Sequence, residues 1–234
     1  MTGQAPFAGF TRAGIQFLAD LAQNNDRAWF APRKAEYERL LKEPLEALCA
    51  ALAVRFEARK LPLRSDAARS PFRIYRDVRF TADKSPYKTA VSASFPWAGE
   101  AGGGVGAYFH FEPGAMMAGG GMWHPDPAHL AAWRRKVADA LPSVRRAVED
   151  PGFAAVFGRV EGESLKRVPA GFSPDHPGAE LLKLKDVIYR RPLSDDEALS
   201  PDLPDLLADI FAASIPVLDL LARLSPGTRA GWLR

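Results

Sequence analysis

The chain contains one cysteine in 234 residues, so no intramolecular disulfide is open to it. That residue, Cys49, falls inside the apolar helical pattern Leu45, Leu48, Leu52 and reads as a small core side chain in a reducing compartment, not as a catalytic thiol. No apolar run approaches the ~20 residues that span a bilayer. The opening MTGQAPFAGF lacks the basic start and long apolar segment of a signal peptide, so the expected location is the cytoplasm and no membrane partner is expected. A large excess of charge is missing too. The net charge of +3 is mild for a dedicated nucleic-acid coat.

Several chemical signatures are also absent. Gly99, Gly102, Gly103, Gly104 and Gly106 are followed neither by a helix nor by the Lys-Ser/Thr ending of a phosphate-cradling loop, which leaves a hairpin loop as their reading. Dinucleotide and serine-nucleophile fingerprints do not occur, and no cofactor is implied. His110, Glu112 and His124 match no familiar ligand spacing and have no cysteine beside them, so no metal site is assigned.

What is present is an ordinary globular composition, 47% apolar and 25% charged, in a chain long enough to bury a substantial core. The pattern predicts a single α+β domain over residues 1–234, with a central mostly antiparallel sheet flanked by N-terminal and C-terminal helices. Residues 10–58 read as helical. Thr11 caps a helix to about Gln23, and Asn24, Asn25 and Asp26 break it. A longer helix from about Arg33 to Ala58 should bend at Pro44. The sheet core falls at about 70–123, with strands at Thr89–Trp97 and Val105–Glu112 and a glycine-rich return through Trp123, whose glycines admit a ligand or a packed helix. Helices follow at 126–157, beginning at Asp126-Pro127. The span 163–234 holds strands at Ser164–Val168 and Lys183–Arg191, a capping box at Ser194 and Glu197, and C-terminal helices from Pro201 with a bend near Pro216.

Basic charge is concentrated in one stretch. Between Arg69 and Lys88 lie Arg69, Arg73, Arg76, Arg79, Lys84 and Lys88 with only Asp77 and Asp83, a local +4 that leaves the other 214 residues at −1. Phe72, Ile74, Val78 and Phe80 alternate with Arg73, Tyr75, Asp77 and Arg79, the period of a half-buried strand. Arg73, Arg76, Asp77, Phe80 and Lys84 are also spaced for one helical face, but Pro71, the β-branched and aromatic content and the turn residues after Thr81 favour the strand. Arg76 sits among the apolar positions and needs a carboxylate, for which Asp83 and Glu112 are the candidates.

Arg73, Arg76, Asp77, Arg79, Phe80, Asp83, Lys84 and Tyr87 together form a pattern, Arg-x-x-Arg-Asp-x-Arg-Phe-x-x-Asp-Lys-x-x-Tyr, that resembles the family called domain of unknown function 2461, conserved hypothetical proteins of bacteria and fungi. FTRAGIQFLADL, NNDRAWF, EPGAMMAGGGMW and LKRVPAGFSPDHP extend the likeness over nearly the full length. The resemblance brings no activity with it.

The residues themselves suggest recognition of an anionic, phosphate-bearing small molecule or nucleotide. Arg73, Arg76 and Arg79 supply planar forks, Lys84 and Lys88 point charge, and Tyr87 a ring or hydroxyl. His110, with Glu112 nearby, is the candidate base for hydrolysis or group transfer, and Asp77 is the third catalytic candidate, kept ionised by its cations and suited to orienting an Arg. The competing readings are an internal salt-bridge lattice, a nucleic-acid module stacking bases on Tyr75, Tyr87 and Trp97, and a purely structural or partner-binding protein. Nothing in the pattern sets an oligomeric state.

Overall fold

Thr11 begins the ordered helical part as expected: its Oγ1 accepts the Gly14 N–H at 3.2 Å and starts α1, Arg12–Gln23. The computed structural model describes residues 6–79, 81–99 and 104–225. After α1 come the short α2 (Arg27–Phe30), capped by Asp26, and α3 (Lys34–Tyr37). The long helix predicted to bend at Pro44 is interrupted just before it, by a wide π turn over Glu38–Lys42 in which the Glu43 N–H bonds the Glu38 carbonyl. Pro44 has no N–H for the carbonyl four residues back, and its ring crowds that turn, so the turn opens. Beyond it α4 runs Glu43–Ala58, with Leu45, Leu48, Cys49, Leu52 and Phe56 buried.

The chain then forms β1 (Val91–Pro96), β2 (Val105–Phe111) and β3 (Met117–Met122), followed by α5 (Pro127–Asp139), α6 (Leu141–Val148), α7 (Pro151–Phe157) and α8 (Ala179–Lys183). It ends in β4 (Val187–Pro192), α9 (Asp195–Leu199), α10 (Leu203–Ala213) and α11 (Ile215–Arg223). The four strands make an antiparallel sheet in the order β1-β2-β3-β4. The fold is α+β, as the sequence predicted.

One face of this sheet is apolar and covered by helices. Phe95 meets Phe56 of α4 and Phe211 of α10, Phe111 stacks on Phe10 at 4.3 Å, and Tyr189 packs on Phe153 of α7. Each of these rings, removed from water, contributes on the order of 2–3 kcal/mol. The buried side chains join one hydrophobic cluster running from Phe10 to Ala222.

Three expectations are corrected. Ser164–Val168 is not a strand: it makes a single bridge, Ser164 to Leu184, before Pro169 turns the chain away. The Lys183–Arg191 strand starts four residues later, because Ala179–Lys183 is helical. The bend expected near Pro216 is a break between two C-terminal helices, which part at Ser214 with Pro216 in the first turn of α11. Two glycines of β3 have a role the sequence did not suggest, close approach to the neighbouring strand. A Cβ at Gly119 would lie 2.4 Å from the Tyr189 carbonyl oxygen, and one at Gly121 would lie 2.1 Å from that of Val187. They let β3 approach β4. Of the loop glycines before β2, Gly102 and Gly103 lie outside the described residues.

Gly121 also has φ +118°, a region that side chains strain to enter. Gly121→Ala is expected to cost roughly 2 kcal/mol or more and to lower the melting temperature by roughly 4–8 °C. Gly114→Ala, at φ +73° with nothing within 4 Å of its Cβ, should cost only about 1 kcal/mol. Equal losses in scanning calorimetry would remove the packing explanation.

Candidate functional site

The basic stretch is neither the continuous strand predicted for it nor a helix. Pro71 bridges Ala93 at the edge of β1, and the Phe72 N–H still bonds the Ser92 carbonyl at 2.9 Å. Past that point the chain leaves the sheet and folds on itself as an open hairpin. Tyr75 bridges Tyr87, the Arg76 N–H donates to the Pro86 carbonyl, and the Lys88 N–H donates to that of Ile74. Prolines at 71 and 86 have no N–H to give, which keeps the pairing to isolated contacts. The alternation survives: Ile74 is buried and Arg76 and Val78 half-buried, whereas Arg73, Tyr75, Asp77 and Arg79 are exposed. Phe80 lies outside the described residues.

Asn25 anchors the hairpin. Its Oδ1 accepts the Tyr87 N–H and its Nδ2 donates to the Tyr87 carbonyl, both at 3.0 Å. The Tyr87 ring, 5% exposed, stacks on Phe30 at 4.0 Å. In the sequence Asn25 reads only as a helix breaker, and nothing local distinguishes a breaker from a clamp on a residue 62 positions away.

The six cations divide. Arg76 pairs with Asp83, the first of its two candidate partners. Arg79 grips Asp77 at two points, Nε to Oδ1 at 3.0 Å and Nη2 to Oδ2 at 2.6 Å. Lys84 donates to the Val78 carbonyl at 2.9 Å. These three brace the hairpin. Arg69, Arg73 and Lys88 have no carboxylate partner among the described residues. Lys88 lies over the face of Phe72, 5.1 Å from the ring centre, and burial together with the nearby Arg73 pushes its amine below the ordinary lysine value.

On the sheet face that the helices leave uncovered, β2 presents Tyr108 and His110, with Glu112 just beyond the strand end. The Tyr108 Oη lies 3.0 Å from His110 Nδ1, and His110 Nε2 lies 2.9 Å from Glu112 Oε2. Thr89 donates to Glu112 Oε1 at 2.8 Å. So the expected neighbours His110 and Glu112 are brought together, while Tyr108 and Thr89 complete a row whose roles the sequence did not reveal. Phe72 connects this row to the cations, since its ring stands edge-on to Tyr108 at 6.2 Å beneath Lys88. Asp77 lies on the exposed hairpin, where its carboxylate is bonded to Arg79 and not to His110 or Glu112. Arg79 holds its carboxyl down at about 2, so it offers no proton at neutral pH.

A separate open groove of about 500 Å³ is lined by Arg27, Ala31, Tyr75, Arg76, Val78, Pro86 and Tyr87. Arg27 was not anticipated, because it reaches the hairpin from α2. Among the described residues there is no group of three or more His, Cys, Asp or Glu side chains that would hold a metal, and no helix long and apolar enough to cross a membrane.

The class defined by these features is an α+β protein whose uncovered sheet face carries a polar row beside a basic hairpin. The model of the family described as conserved hypothetical protein (DUF2461) matches residues 13–219 of the 234, and the chain belongs to that family. No curated protein and no solved structure matches it.

Hydrogen bonds to the folded partners lower both Asp77 and Asp83, so these contacts are complete above the ordinary carboxylate value of 3.8 and are lost only as pH falls through the depressed values. The Arg79 amide, which donates to Asp77 Oδ1, should hold a constant NMR shift down to pH 4 and titrate with a midpoint near 2. A midpoint at 3.8 would mean that the pair does not persist in solution.

Proposed function

We propose that the protein binds an anionic, phosphate-bearing small molecule or nucleotide through Arg73 and Lys88, with His110 as the base for hydrolysis or transfer on the bound group. The observation that supports this is a contrast inside one hairpin. Arg76 and Arg79 are each matched with an aspartate, whereas Arg73 and Lys88, close enough for one charge to depress the other's pKa, have no carboxylate between them among the described residues. Two neighbouring cations repel each other, and an oxyanion placed between them removes that cost. The Arg73 fork suits two-point bonding to phosphate, and Lys88 adds a compact charge. Arg76, Arg79 and Lys84 support the ligand indirectly, by shaping the hairpin. We place this activity in the cytoplasm, where the buried Cys49 stays reduced.

Nucleic-acid binding is a second reading, favoured by Tyr75, 49% exposed beside Arg27 and Arg76 in the open groove. Tyr87 is no stacking platform in that reading, since Phe30 occupies its ring face.

Isothermal titration with inorganic pyrophosphate and adenosine monophosphate should show affinity falling about tenfold or more in Arg73→Ala and in Lys88→Ala. Arg79→Ala, which removes only a brace of the hairpin, should lower it by a clearly smaller factor, about two- to threefold. No binding to the unaltered protein, or equal effects at all three positions, would sink the proposal. Single-stranded oligonucleotide binding that weakens steeply with salt would instead favour the second reading.

A further inference from the structure

The row on β2 holds more than a base. A carboxylate only accepts hydrogen bonds, so the His110 Nε2 facing Glu112 carries the imidazole proton, and Nδ1 of the neutral ring is left as an acceptor. The Tyr108 hydroxyl, 3.0 Å away, therefore donates to Nδ1. Its oxygen keeps lone pairs of its own. Every donor in the row then has a fixed direction, and the mobile proton of Tyr108 points at His110. This is the arrangement of nucleophile, base and orienting carboxylate, with a phenol in the place of an alcohol.

We infer that Tyr108 is the nucleophile of a phosphoryl-transfer site, with His110 as its base and Glu112 as the positioning residue. This rests on the reading that Arg73 and Lys88 hold a phosphate-bearing ligand, and Phe72 joins the two places, its ring between Lys88 and Tyr108. In the step, the Tyr108 oxygen forms a bond to phosphorus while the ester P–O bond breaks, and the phenolic proton passes to His110 Nδ1. The departing alkoxide takes a proton from water. Water or an acceptor hydroxyl then displaces the phosphoryl group from Tyr108 and gives up its own proton to solvent, replacing the one the alkoxide took, while the Tyr108 oxygen recovers its proton from His110. Burial raises the phenol above its ordinary pKa, against the smaller effect of the nearby Ser92 hydroxyl, so Tyr108 stays protonated at rest and needs the base beside it.

The test uses benzenesulfonyl fluoride, which is neutral, and its anionic analogue 4-(fluorosulfonyl)benzoate, on the full chain. A tyrosine oxygen attacks sulfur, an S–O bond forms, fluoride leaves and the base takes the proton. Peptide mass spectrometry reads the site, and the half-exposed Tyr75 in the same chain is the reference for an unassisted phenol. The neutral reagent should label Tyr108 at least about tenfold faster than Tyr75. That ratio should fall to about one in His110→Gln, and drop in Glu112→Gln, two variants checked for an unchanged melting transition. A ratio near one in the unaltered protein, or one that survives in both variants, overturns the inference. Because the ratio is taken within one chain, a general change in stability affects both tyrosines alike. The anionic reagent tests the underlying reading separately. If its advantage over the neutral one is lost in Arg73→Ala and Lys88→Ala, both stand. If those variants change nothing while the neutral ratio holds, Tyr108 remains an activated nucleophile and phosphate is removed as its substrate.

Discussion

Strand β2 sorts its side chains to two sides, and the rest of the molecule follows from that division. Val105, Ala107, Phe109 and Phe111 face the helices, so hydrophobic burial fixes the register of the sheet to the residue. A slip by one position would turn all four into solvent. The same constraint delivers Tyr108 and His110 to the other face at a fixed spacing, which is why their hydrogen bonds can be short and directed without any loop to hold them. The apolar core thus does the positioning for a row of groups that it never touches.

The basic hairpin is organised by a different force. It has little sheet pairing and few buried side chains of its own, and what keeps its shape is local electrostatics: Arg76 with Asp83, Arg79 with Asp77, Lys84 on a carbonyl, and the Asn25 clamp from the end of α1. Exposed ion pairs of this kind contribute little to global stability. They set a conformation. A hairpin that has spent some of its cations on itself still presents Arg73 and Lys88 free of carboxylates among the described residues, so a salt-bridge lattice and the proposed ligand surface are compatible. The lattice holds the surface.

The phenol row and the cation pair meet at Phe72, the last residue of the hairpin that still pairs with β1. One aromatic side chain leaves the sheet edge there and covers its open face, bringing a lysine amine with it. Without that crossing the two sets of groups would belong to separate parts of the surface.

Much of this was legible beforehand for definable reasons. Helix starts at Thr11, Asp126 and Ser194 are local hydrogen-bond chemistry, and the alternation of β2 is a two-residue period, so both can be read from a few adjacent letters. The pairing of Arg76 with a carboxylate was likewise demanded by its place among apolar neighbours, and Asp83 lay within a turn of it. The excess of positive charge between Arg69 and Lys88 needed only counting. What the three-dimensional fold alone decided were matters of distance along the chain. Asn25 reaches Tyr87, Thr89 reaches Glu112, the β3 glycines meet the backbone of β4, and Lys88 settles over Phe72, whose ring in turn meets Tyr108. Residue types and spacings limit which partners a group can have, but only the packing of remote segments chooses one, because a contact between them has no trace in the letters on either side.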